Sequence, residues 1–139
     1  MTKIPKYWTK AKKYLSKKDK KMSKLIKNYQ GPSEIVLTSR RDIFFSLCKS
    51  IIGQQISVAA ANSVFLKFKK KCNYKITVKN VSKLTFSQLK SCGLSRQKVL
   101  GIKSLAKQTL NKSFNPKLIT KMSDEDAINY LSNLRQIGR

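Results

Sequence analysis

Histidine is absent from this chain of 139 residues, and only six of its side chains are carboxylates. The first absence removes the commonest general base and the commonest metal ligand. Acid–base chemistry is left to Asp19, Glu34, Asp42, Asp124, Glu125 and Asp126. Cysteine is equally scarce. Cys48, Cys72 and Cys92 are odd in number, widely spaced and without histidine companions, which indicates neither a zinc site nor a closed disulfide framework. They are expected to be reduced and structural, and no metal or cofactor is expected. No run of about 18 apolar residues occurs, and the lysine-rich start lacks the roughly 7–15-residue apolar stretch of a secretory leader. Neither a membrane partner nor export is expected, and the chain is expected to be an intracellular monomer.

Positive charge is what the chain has in excess. Its 31 lysines and arginines against 6 acids give 31 − 6 = +25, the sign and size expected of a protein that neutralises phosphates. A compositional bias of an AT-rich genome toward lysine competes with that explanation. A hydrophobic share of 40% is enough for one packed domain of this length.

Helical spacing dominates the apolar pattern. Trp8, Ala11 and Leu15, then Met22, Leu25, Ile26 and Tyr29, each mark one face of a basic helix, with a break near 16–19 and a stop at Gly31-Pro32. From about Arg41 to Gly53, Ile43, Phe44, Leu47, Ile51 and Ile52 make a wide apolar face behind Asp42, and this should be the most buried helix. Ser57 is placed as the N-cap of the next helix, so Gln54-Gln55-Ile56 forms a tight corner. Ala59 to Ala61 should let another helix approach. The basic, β-branched stretch 69–82 is expected to be irregular, with one extended piece. Thr85 to Cys92 then makes a short helix stopped by Gly93, and Ser95 caps a helix with Val99, Ile102, Leu105, Ala106 and Leu110 on one face. Pro116 separates that helix from a last one, where Ser123 and Asp126 resemble a capping box ahead of Ala127, Ile128, Leu131 and Leu134. The fold class is all-α, with about six or seven helices.

Taken in order, Phe44-x-x-Leu47-x-x-x-Ile51-x-x-Gln54-Gln55-Ile56-Ser57-x-x-Ala60-Ala61, Gly93-Leu94-Ser95-x-x-Lys98, Leu105-Ala106 and Leu131-x-x-Leu134-x-x-Ile137-Gly138-Arg139 resemble the 3-methyladenine DNA glycosylases of the helix-hairpin-helix superfamily. The resemblance implies two helical lobes around a DNA-binding cleft, and hydrolysis of the N-glycosidic bond of an alkylated, flipped-out purine in base-excision repair. It also implies that residues 1–139 are the amino-terminal part of one such domain, with the second half of the hairpin and the catalytic aspartate falling after Arg139. No catalytic residue is therefore expected among the six carboxylates, and the apolar faces of the 41–53 helix and the last helix should lack partners.

The same resemblance places double-stranded DNA with alkylated bases against Gln54, Gln55, Ser57, Leu94, Ser95, Arg96, Lys98, Gln136, Ile137, Gly138 and Arg139. Gln55 stands where related enzymes push a side chain into the duplex, and Leu94, Ser95 and Arg96 stand where a minor-groove wedge is supplied. Gln136 takes the place of the hairpin's first glycine, so only Ile137 and Gly138 match, and that loss works against close backbone approach to a phosphate. Trp8, with Tyr7 and Phe44, is a candidate for the base pocket, since a cationic purine over an aromatic face gains roughly 0.5–2 kcal/mol. The structural alternatives are ordinary ones: glutamines satisfying helix ends, a serine cap, an aromatic stripe in a core. An inert basic DNA-binding module is the competing functional class, and a basic RNA-associated protein is a third.

Overall fold

The computed structural model describes residues 4–31, 34, 36 and 42–139. These fall into two compact units, Met1–Arg41 and Asp42–Arg139. Among the described residues there are nine helices and no strand.

The first unit contains α1 (Trp8–Lys18) and α2 (Lys20–Asn28), which pack on each other. Asp19 separates them in an extended conformation and caps α2, its carboxylate accepting from the amides of Lys21 and Met22. Neither helix buries a residue fully, and Leu15, Leu25 and Tyr29 are exposed. Pro32, expected to close this pair, and Arg41, expected to begin the next helix, lie outside the described residues.

The second unit holds the core. α3 (Ile43–Gly53) starts at Asp42, which accepts from the Phe45 amide, and buries Phe44, Cys48, Ile51 and Ile52. α4 (Val58–Lys71) buries Phe68, α6 (Phe86–Lys90) buries Leu89, and α7 (Arg96–Leu110) buries Val99, Gly101, Ile102, Leu105 and Ala106. α7 packs against α3, α6 and α5 (Val78–Ser82). Short α8 (Pro116–Ile119) and α9 (Asp124–Ser132) complete the unit, with Phe114 and Tyr130 stacked at 5.3 Å and the Tyr130 hydroxyl accepting from the Asn115 amide. No helix among the described residues is long and apolar enough to cross a membrane.

Several expectations need correction. The 69–82 stretch is not extended: α4 continues to Lys71, and Thr77 caps α5 by accepting from the Asn80 amide. The Asn80 side chain then donates to the carbonyls of Cys72 and Lys75 and closes the intervening turn. Local capping thus overrides the β-branched composition. Pro116 opens a helix instead of only separating two, as a proline at a first helical position can. Leu110, assigned to the buried face of α7, is 60% exposed at the end of that helix. Ala59 and Ala60 are exposed. The large apolar residues of α3 and α9 are buried or half-buried, so the uncovered faces expected there are not observed among the described residues.

All three cysteines are free and at most 1% exposed. Burial raises the Cys48 thiol far above its ordinary value, with Cys72 and then Asp42 adding to the effect. Burial and then Cys92 push Cys72 up to about 11, and burial also raises Cys92. A buried, protonated thiol is a poor nucleophile. The folded protein at pH 8 is therefore expected to react with a disulfide reagent such as dithiobis-nitrobenzoate at least about tenfold more slowly than the unfolded chain. Reaction of any thiol within the mixing time would contradict this burial.

Candidate nucleic-acid interface

The corner between α3 and α4 is built by chain geometry and then tied down from elsewhere. α3 ends when Gln54 turns extended, and Gln55 follows at a φ of +55°, in the left-handed region where a side chain costs about 1–3 kcal/mol. Ser57 resumes a helix at once, its hydroxyl accepting from the Ala60 amide at 3.2 Å. The result is a four-residue projection with Gln55 and Ile56 exposed at its tip. The Gln55 side chain makes no hydrogen bond among the described residues.

Three contacts hold this projection from behind. The Lys98 ammonium donates to the carbonyls of Ile52 at 2.8 Å and Gln54 at 2.7 Å, which satisfies two acceptors left open where α3 stops. The Gln54 side-chain amide donates to the carbonyl of Gln136 at 2.5 Å. Gln136 itself has a φ of +67°, and its side chain lies directly over Gly101 of α7. A Cβ at Gly101 would stand 2.8 Å from Cγ of Gln136 and 3.2 Å from its Cβ. The left-handed backbone that the hairpin pattern assigns to a glycine is therefore kept here by a glutamine, and the glycine is on the helix that faces it.

The other expected site residues divide. Ser95 is exposed and caps α7, its hydroxyl accepting from the Lys98 amide at 3.3 Å. Arg96 is exposed and has no ion pair or hydrogen-bond partner among the described residues. Gly138 is exposed, with open space around it, and Ile137 packs against the core. Arg139 donates to Glu125 at 2.7 Å and to Asn129 at 3.4 Å across an exposed surface. Leu94 is 2% exposed, so its expected place as a wedge is overturned: Gly93, at a φ of +93°, turns the chain so that Leu94 enters the core. Lys98, expected to be solvated or to face phosphate, is committed to carbonyls of its own chain. Phe44 likewise belongs to the core of the second unit.

Within the first unit, Trp8 lines an open apolar cleft of about 510 Å³ together with Leu15, Met22, Ile26, Tyr29 and Glu34. Its indole N–H donates to Glu34 at 2.6 Å, and the Lys12 ammonium pairs with the same carboxylate. Those hydrogen bonds, Lys12 first and then Trp8, hold the Glu34 carboxyl below its ordinary value. Tyr7 is exposed and outside the cleft.

Each of the other carboxylates has a structural position. Asp19 and Asp42 are N-caps, and Asp124, Glu125 and Asp126 occupy the first turn of α9, where negative charge opposes the helix dipole favourably. Ser123 caps α9 through the Asp126 amide, and its hydroxyl also donates to the Asp126 carboxylate. Among the described residues no cluster of histidine, cysteine or acid is arranged to hold a metal. Two contributors had little or no sequence signal. Ile56 is 40% exposed beside Gln55, and its only clue was an apolar residue within a corner that neither helix buries. Gly101, in mid-helix, had none.

A family model described as HhH-GPD superfamily base excision DNA repair protein matches residues 48–137. The chain is 31% identical over 136 residues to the alkylbase DNA glycosidase-like protein mag2 of Schizosaccharomyces pombe, an alignment covering 95% of this chain and 63% of that protein. It is 29% identical over 137 residues to DNA-3-methyladenine glycosylase 1 of the same yeast, covering 94% and 59%. The chain thus spans roughly three fifths of these two curated relatives. Among solved structures, the S. pombe 3-methyladenine DNA glycosylase Mag1 in complex with abasic DNA superposes with a TM-score of 0.78 at 26% identity, covering 94% of this chain and 65% of that one.

The Gly101–Gln136 contact predicts a coupled pair of variants. Gly101→Ala is expected to cost about 1–3 kcal/mol by crowding Gln136. Adding Gln136→Gly should recover most of that loss, because glycine clears the space and accepts the left-handed φ. Denaturant unfolding of the two single variants and the double variant checks this, and strictly additive losses would mean that the residues do not press on one another.

Proposed function

Because this chain belongs to the HhH-GPD superfamily of base excision DNA repair proteins, we propose that it is the amino-terminal, DNA-engaging part of a glycosylase domain that removes alkylated purines such as 3-methyladenine from double-stranded DNA by hydrolysis. The observation that carries the proposal is the braced corner, with Gln55 exposed, left-handed and unpaired at its tip. A flipped nucleotide leaves a gap whose unstacking costs a few kcal/mol, and a flat amide that stacks and hydrogen-bonds offsets part of that. Ile56 beside it adds apolar surface of the kind that partly unstacks a base step. Ser57, Ser95, Arg96 and the Ile137-Gly138-Arg139 turn are proposed as backbone contacts that set register, while the net charge of +25 supplies the salt-dependent attraction. Mag1, named as a complex with abasic DNA, supports a duplex with a vacated base position as the ligand. Trp8 is proposed for the base pocket because it lines an apolar cleft with its indole held in place by Glu34. A cytoplasmic, nucleoid-associated setting is proposed with it, and three cysteines buried as free thiols fit a reducing compartment.

The structural employment of the carboxylates favours a second reading for these residues taken alone, a DNA-binding module without chemistry. Release of 3-methyladenine or 7-methylguanine from methylated duplex separates the two, when this chain is compared with one extended through the coding sequence that follows Arg139. Release by the extended chain only is expected. Release by the 139-residue chain would assign catalysis to one of the six carboxylates, and release by neither would leave the binding module. Gln55→Ala should weaken binding to an abasic-analogue duplex about threefold to tenfold more than binding to intact duplex. An equal loss on both would mean that Gln55 only shapes the corner.

A further inference from the structure

Lys98 is half-buried in a chain whose lysines are mostly exposed, and its two acceptors are 44 and 46 residues away in sequence. The contacts around it form a closed circuit. Lys98 joins α7 to the end of α3, Gln54 joins that end to Gln136, and Gln136 rests on Gly101, one turn along α7 from Lys98 on the same face. The circuit includes Gln136 and adjoins Gln55, both left-handed and both bearing side chains. Such a residue keeps that conformation only when its surroundings fix it.

We infer that Lys98 and Gln54 are positioning residues that lock the α3–α4 corner to the turn after α9 and so hold Gln55 in its outward conformation. The inference rests on the proposed role of the corner at DNA for its functional part, and on the free protein for its structural part. Lys90 and Lys103 each donate to one backbone carbonyl, whereas Lys98 serves two at the end of one helix. Two of its three donors serve carbonyl oxygens of the fold, so its charge fixes a shape and releases no counterion from a duplex. Gln54 transmits that shape across 82 residues of sequence to the place where the hairpin motif begins.

Amide exchange in the free 139-residue chain tests the lock without DNA. Lys98→Met and, separately, Gln54→Ala are expected to speed exchange of the Ile137 amide, which donates to Leu134, by about tenfold. The Leu89 amide in α6 should keep its rate. Unchanged protection of Ile137 in both variants would overturn the inference. If Lys98→Met loses protection throughout, Gln54→Ala decides alone, because it leaves the α3 carbonyls capped. The second readout is binding to a tetrahydrofuran abasic-analogue duplex and to an intact duplex across a salt series. Lys98→Met is expected to keep the salt slope and to lower the abasic preference about fivefold to tenfold. A slope reduced by about one with the preference retained would make Lys98 a phosphate contact and overturn the inference. Absence of any abasic preference in the unsubstituted chain would defeat the DNA role of the corner, and the exchange result would still decide the lock.

Discussion

Where α3 stops inside the fold, its last carbonyls need donors, and the Lys98 ammonium supplies them at 2.7 and 2.8 Å. A charged donor on a partly buried carbonyl is worth about 1.5–3 kcal/mol, more than an ordinary backbone bond. The conformation of the next four residues depends on that contact. With α3 ended at a fixed place, Gln55 is forced left-handed, Ser57 can cap α4, and the tip of the corner is left exposed. The core behind it, built on Ile51, Ile52, Val99 and Ile102, provides the rigid base on which a small projection keeps its shape.

Features set by neighbours in sequence were legible. Ser57, Ser95 and Ser123 cap helices as expected, because a cap needs only a side chain and an amide two or three residues away. The corner and the apolar faces of α3 and α7 were legible for the same reason. What failed was long in range or decided by packing. No spacing rule connects Lys98 with Ile52, or Gln54 with Gln136, and nothing local marks Gly101 as the seat of a side chain from the far end of the chain. Leu94 was placed as a wedge by the family resemblance alone, yet the turn at Gly93 sends it inward. Of the candidate interface, the exposed tip was readable and the machinery that holds it was not.

The charge distribution divides labour between the signs. Six acids are few enough that caps, first-turn positions and the pairing of Glu34 with Trp8 and Lys12 account for all of them. Among the described residues most of the cations have no such employment, and their attraction for phosphate is diffuse and screened by salt within about 10 Å at ordinary ionic strength. A surface of that kind brings a duplex near without selecting a sequence or a lesion. Under the proposed function, selection falls to the few uncharged, geometrically fixed side chains at the corner.

The burial of the three cysteines has a consequence for survival under the conditions that make such a protein useful. Methylating agents that attack purine ring nitrogens also attack thiolates, which are the softest nucleophiles a protein offers. A repair protein with an exposed, ionised cysteine would be modified alongside the DNA it is meant to serve. Here Cys48, Cys72 and Cys92 are enclosed and held in the protonated form, and no imidazole exists to be alkylated in their place. The thiols of this fold are thereby withheld from electrophiles of the kind that methylate purines.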